Sequence, residues 1–220
     1  MTTPAPDATD LVRRRVINVV GHELRTPITT VRGLAELLVD APADEAEQVI
    51  LPALLRNARR TEELLDDLLI ASEVKTAHPV EPPESVDLGA LVDVVVEGTA
   101  LVVVGPAPAR AMGHPSIIGR ALGHLVSNAE KYHDATPALR FESDAETVTV
   151  IIETPVEQAV RDLELGFEMF FRGEDAVTRG AGIGVGLPAA RALARVDGGD
   201  VEIEQADGRV ITRLVLRRAS

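Results

Sequence analysis

The sequence predicts an α+β protein in two parts: a long antiparallel helical hairpin, then an α/β sandwich with helices on one face of a single sheet. Three observations predict it. Apolar residues from Leu11 to Leu69 recur mostly at spacings of three and four, three prolines fall between Ala77 and Ser85, and beyond them helical periods alternate with short β-branched runs.

The first periodic run carries Leu11, Val12, Val16, Val19, Val20, Leu24, Val31, Leu34, Ala35 and Leu38. Pro27 lies inside it, where a missing N–H and a ring clash predict a local kink after His22. Asp40-Ala41-Pro42 stops the helix, and a second run from Ile50 to Leu69 keeps its charges, among them Arg56, Arg59, Glu62, Glu63 and Asp66, on the opposite face. The apolar stripe is too wide for one hairpin to cover, so a second copy completing a four-helix bundle is expected, and with it a homodimer. The expected boundaries are a tail over 1–9, the hairpin over 10–76, a linker over 77–86 and the sandwich over 87–220. Within the sandwich the pattern predicts helices near 87–99, 115–132 and 186–196. It predicts strands near 101–104, 138–143, 147–152, 201–205 and 210–216, the last two joined by a hairpin turn at Asp207-Gly208.

Composition narrows the function. A formal charge of −13 opposes adhesion to nucleic-acid phosphates and anionic lipid, so neither nucleic acid nor membrane is an expected partner. The absence of cysteine excludes disulfides, thiolate metal ligands and thiol nucleophiles. The apolar run Val94 to Gly105 is broken by Glu97 and falls short of the roughly 20 residues of a membrane span. The amino terminus lacks a basic, then apolar, leader pattern. A soluble cytoplasmic protein with no sensor domain of its own is expected.

The chemistry starts at His22. An imidazole takes up and releases a phosphoryl group near neutral pH, the adjacent Glu23 accepts its proton, Thr26 lies one turn on along the same face, and Arg25 adds a cation for an incoming phosphate. The segment GHELRTPITTVRG, Gly21 to Gly33, resembles the H box of two-component histidine kinases, and the hairpin around it resembles their dimerisation and histidine-phosphotransfer domain. The resemblance implies that His22 is the phosphoacceptor, Glu23 its general base and Thr26 an aid to dephosphorylation of the partner, a response regulator receiver domain.

The resemblance extends along the chain. HLVSNAEKYH, His124 to His133, resembles the N box of GHKL-type ATPase domains, which implies Asn128 as the magnesium ligand and Lys131 and Tyr132 as nucleotide contacts, with His124 where the family usually has an earlier asparagine. GFEMFFRG, Gly166 to Gly173, resembles the F box, placing Arg172 near phosphate. GAGIGVGLPAARAL, Gly180 to Leu193, resembles the G2 box, whose glycines, here Gly182, Gly184 and Gly186, let backbone amides approach phosphates at a helix N-terminus. The implied cofactors are Mg2+ and ATP.

Three departures stand against this pattern. Counting back from Phe167 puts Glu153, Pro155 and Glu157 on the DxGxG box, with Glu153 in place of the aspartate that would bond the adenine amino group. His114 stands where these domains often carry an aspartate, and Gly208-Arg209-Val210-Ile211 replaces a Gly-Thr rich terminal box. Weak or impaired ATP binding is the expectation. The sequence accommodates a sensorless histidine kinase, an ATP-independent dimeric phosphotransferase fed by a separate upstream sensor or kinase, or a relay adaptor. In the last two cases Mg2+ serves the partner regulator.

Overall fold

A computed structural model describes residues 8–42, 44, 46–71, 81–105, 110–160, 162–171 and 184–219, without the side chains of residues 8–20, 22, 23 and 40. It divides into two compact units, Met1–Leu68 and Leu69–Ser220.

The first unit holds α1 (Ala8–Asp40), a π-helical turn (Ala46–Ile50) and most of α2 (Leu51–Ala71). Helix α1 continues through Pro27, whose side chain is buried. Proline offers no N–H to the carbonyl four residues back, that of Glu23, and one turn on Thr30 Oγ1 donates to the Thr26 carbonyl at 3.0 Å. The Ala46 amide closes the connection on the Pro42 carbonyl at 2.9 Å. Leu37, Val39, Val49, Leu55 and Leu65 are all exposed, Val39 to 81%.

The second unit is the expected sandwich. Its five-stranded sheet runs β2 (Val102–Val104), β4 (Ala138–Ser143), β5 (Thr147–Pro155), β7 (Arg209–Arg217), β6 (Asp200–Ala206), with β2 parallel to β4 and all other pairs antiparallel. Alternate residues Leu139, Val148, Val150, Ile152, Val201, Leu214 and Leu216 pack into one core with α3 (Leu88–Val96), α4 (Pro115–Tyr132) and α5 (Gly186–Val196). The other parity carries charge, including Arg140, Glu142, Glu153, Glu204 and Arg213. Ile151 lies on that outer parity yet is fully buried, flanked in register by Arg140 and Arg213, whose aliphatic stems suit such a site.

The local signals act as expected. Asp87 caps α3 by accepting the Ala90 amide at 3.1 Å, and Pro115 opens α4 with its preset φ. Asp207 and Gly208 both take positive φ, 49° and 70°, as a two-residue hairpin turn requires. Two strands were missed, β1 (Glu84–Asp87) and β3 (Arg110–Gly113), which pair with each other. Four residues reading ESVD or RAMG offer no β-branched alternation, so their pairing comes from tertiary context. Among the described residues no helix is long and apolar enough to cross a membrane.

Candidate functional site

Helices α4 and α5 lie antiparallel, so the end of one meets the beginning of the other. At one end Gly186, the first residue of α5, faces α4 so closely that an added Cβ would stand 3.5 Å from Asn128 Oδ1 and 3.9 Å from His124 Nδ1. The amides of Gly186 and Leu187 begin the helix without intrahelical acceptors. Asn128 is half-buried; Tyr132, one turn on along the same face, is half-buried, and Lys131 is exposed. Just before the helix, Gly184 has φ +70°, and an added Cβ would meet the Phe171 carbonyl oxygen at 2.5 Å, so only glycine fits. The Gly184 carbonyl accepts the Phe170 amide at 2.9 Å.

The structure thus brings together Asn128, His124, Gly184 and Gly186 from two segments about sixty positions apart. An amide oxygen beside the first amides of a helix is a hard, anion-compatible donor set that fits Mg2+ with a polyphosphate. Among the described residues no group of three or more His, Cys, Asp or Glu side chains converges on a metal position. Arg172 and Gly182 lie outside the described residues, as do the side chains of His22 and Glu23, whose backbone is helical within α1. Thr26 and Arg25 are exposed on that helix.

The opposite end of the helix pair is closed by charge. His114 precedes Pro115, and Asn128 lies fourteen positions further along, about 21 Å at the helical rise. Its Nδ1 contacts Asp197 Oδ1 at 2.6 Å, its Nε2 contacts the Glu81 carbonyl at 2.7 Å, and its backbone amide donates to Asp197 Oδ2 at 2.9 Å. Acceptors on both ring nitrogens favour the imidazolium, which donates twice. The Glu81 bond, opposed by desolvation and joined by the Asp197 bond and charge, holds the His114 pKa above its ordinary value. A cavity of about 240 Å³ at this end is lined by His114, Asp197 and Arg217, among others, well away from Asn128.

Two sequence expectations are corrected by this geometry. Glu153 shares a parity with Ile151, not with Ile152, and therefore points to the outer face of the sheet. There it accepts Arg140 Nε at 2.8 Å and Arg209 Nη1 at 2.8 Å, while Arg140 also binds Glu142. The Arg140 bond is the largest influence on the Glu153 carboxyl; burial opposes it, and the Arg140 charge with the Arg209 bond and charge completes the balance that holds the carboxyl below the usual range. Glu153 does not stand in for a base-reading aspartate, and Pro155 lies on the same outer parity. The residue on the helix-facing side at this end of β5 is Thr154, buried to 5% exposure. Likewise His114, expected as a departure on the base-binding half, is paired within the fold to the Asp197 carboxylate. Asp197 and Thr154 were both missed by sequence reasoning.

With this geometry in place, similarity to known proteins is informative. Residues 12–76 match the His Kinase A (phospho-acceptor) domain family. Over 200 residues, 87% of this chain, the sequence is 32% identical to the sensor histidine kinase GtrS of Pseudomonas aeruginosa, of which it spans 39%. Among solved structures, the Acinetobacter baumannii histidine kinase AdeS superposes with a TM-score of 0.61 at 22% identity, covering 90% of this chain and 98% of that one. Full-length ShkA in complex with AMPPNP gives 0.63 at 20% identity, covering 94% and 46%. The chain resembles two-component histidine kinases over this length: a HisKA segment is followed by an α/β unit with the fold of those structures.

Proposed function

We propose that this chain is a cytoplasmic histidine protein kinase core that phosphorylates His22 from ATP and passes the group to an aspartate of a response regulator receiver domain. The observation that carries this reading is the approach of Gly186 to the Asn128 amide, a space a Cβ would fill. Asn128 would hold Mg2+, whose charge when bound neutralises the polyphosphate. Lys131, Tyr132, Arg172, Gly182, Gly184 and Gly186 would contact the nucleotide. Glu23 accepts the His22 proton, freeing a ring nitrogen for attack, and Thr26 aids removal of phosphate from the regulator. Exposed Leu37, Val39, Leu55 and Leu65 support a second copy covering the hairpin as a four-helix bundle. A monomeric mass in solution at micromolar concentration would overturn that part.

Weak ATP binding rests on a different residue from the one the sequence indicated. Thr154, neutral, occupies the buried helix-facing position where an acid would make a charge-assisted bond to adenine. Such a contact is worth about 1–3 kcal/mol, from several-fold to about a hundredfold in affinity. The same observation favours the second reading, an ATP-independent phosphotransferase loaded by an upstream phosphorylated receiver.

Incubation with Mg2+ and γ-labelled ATP, beside a His22→Gln control, tests the proposal. Acid-labile, alkali-stable label on the unaltered chain alone is the expected result. Label from a phosphorylated receiver but not from ATP selects the relay, and label on His22→Gln contradicts both.

A further inference from the structure

The turn that precedes the glycine end is fastened to α5 by an arginine that no motif singles out. The Arg191 guanidinium lies 3.4 Å from the centroid of the Phe167 ring, and Phe167 packs against the main core. Arg191 is itself fixed: Nε donates to Asp200 Oδ1 at 3.1 Å and to the Val201 carbonyl at 3.0 Å, and Arg195 holds the same carboxylate. Burial works to raise the Asp200 carboxyl, but the Arg195 bond, the Val201 amide and the two arginine charges leave it below its ordinary pKa.

From Phe167 the constraint runs on through backbone. Leu165 donates to the Asp162 carbonyl at 2.9 Å, Glu168 to Leu165 at 2.9 Å and Phe171 to Glu168 at 3.2 Å, so Leu163–Phe171 is a chain of closed turns. Gly166 rests against Leu187 on α5, where an added Cβ would be 3.1 Å from Leu187 Cδ2. Within the last turn stands Phe170, held at φ 66°, whose amide binds the Gly184 carbonyl. Gly184 stands two residues before the Gly186 that faces Asn128.

We propose that Arg191 is a positioning residue for the glycine end: by clamping the Phe167 ring it fixes the Phe170–Gly184 bond, and so the aim of the Gly184–Gly186 backbone at a nucleotide's phosphates. The phosphate part rests on the kinase reading above. A lysine cannot replace it fully, because its single ammonium lacks both the plane that covers the ring and the fixed Nε direction toward Asp200 and Val201.

The test compares Arg191→Ala and Arg191→Lys with the unaltered chain in titrations with Mg·ATP and with AMP, alongside hydrogen exchange at the Phe170 amide. Arg191→Ala is expected to weaken Mg·ATP about tenfold or more, as small misplacements of binding groups do, with a smaller loss for AMP and with Arg191→Lys in between. Faster Phe170 exchange with unchanged exchange at Val150 is expected alongside. Unchanged ATP affinity, or equal losses for ATP and AMP, overturns the proposal. If the unaltered chain binds no ATP, the kinase reading fails by itself; the positioning claim then stands on the Phe170 exchange rate, and an unchanged rate overturns it.

Discussion

The two ends of the α4–α5 pair are closed by opposite means. At the His114 end a buried imidazole and a carboxylate fill the junction, each partner completing the other's hydrogen bonds. At the Asn128 end the junction is held open by a missing side chain at Gly186 and by a backbone conformation at Gly184 that only glycine takes without strain. One end pairs its polar groups within the fold, and at the other the first residue of α5 stands beside the Asn128 amide. The departures from the family pattern follow the same division: His114, Glu153 and Arg209 each have a charged partner within this chain, so they are replacements built into the fold.

The substitution expected to cost most erases the difference between the ends. Leu122 lies midway along α4 with no exposure, and Leu122→Ala should lower unfolding free energy by about 2–5 kcal/mol in denaturant titration, loosening both ends together. Next in size is Gly184→Ala, which meets a positive φ and the Phe171 carbonyl and should cost about 1–3 kcal/mol. Gly186→Ala sharpens the contrast. Its Cβ finds ordinary contact distances within a helix, so stability should hold or rise by up to about 1 kcal/mol while Mg·ATP affinity falls.

Smaller effects separate the outer face from the ligand end. Glu153→Gln should cost about 1 kcal/mol or less at neutral pH, since Arg209 is half exposed, and should leave nucleotide affinity unchanged. Because the folded pKa of Glu153 is lowered, its contribution is present above the ordinary carboxyl value of 4.5 and is lost as pH falls through the folded value; the deficit of the variant should shrink below pH 4.5. His114→Gln has the opposite sign. Its folded pKa is raised, so the contribution is complete below the ordinary 6.5 and disappears as pH rises through the folded value, and melting curves of variant and parent should converge at alkaline pH.

Much of this was legible in the sequence, and the errors have physical causes. Helical periods located α4 and α5 to the residue because each buries one continuous stripe, and Asp207-Gly208 announced its turn through positive φ. Glu153 was expected to face the helices because counting from Phe167 carries no information on strand parity. Val148, Val150 and Ile152 already show that even positions of β5 face the core, which puts Glu153 outside and Thr154 within. The pairing of His114 with Asp197, 83 positions apart, leaves no local trace, and neither does the stacking of Arg191 on Phe167.

The most direct measurement is equilibrium titration of Mg·ATP at neutral pH into the unaltered chain, Asn128→Ala and His114→Gln. Saturable binding, weakened about tenfold or more by Asn128→Ala and unchanged by His114→Gln, is the result expected if one end of the helix pair serves the ligand and the other the fold. No saturable binding to the unaltered chain, or equal losses in the two variants, would contradict it.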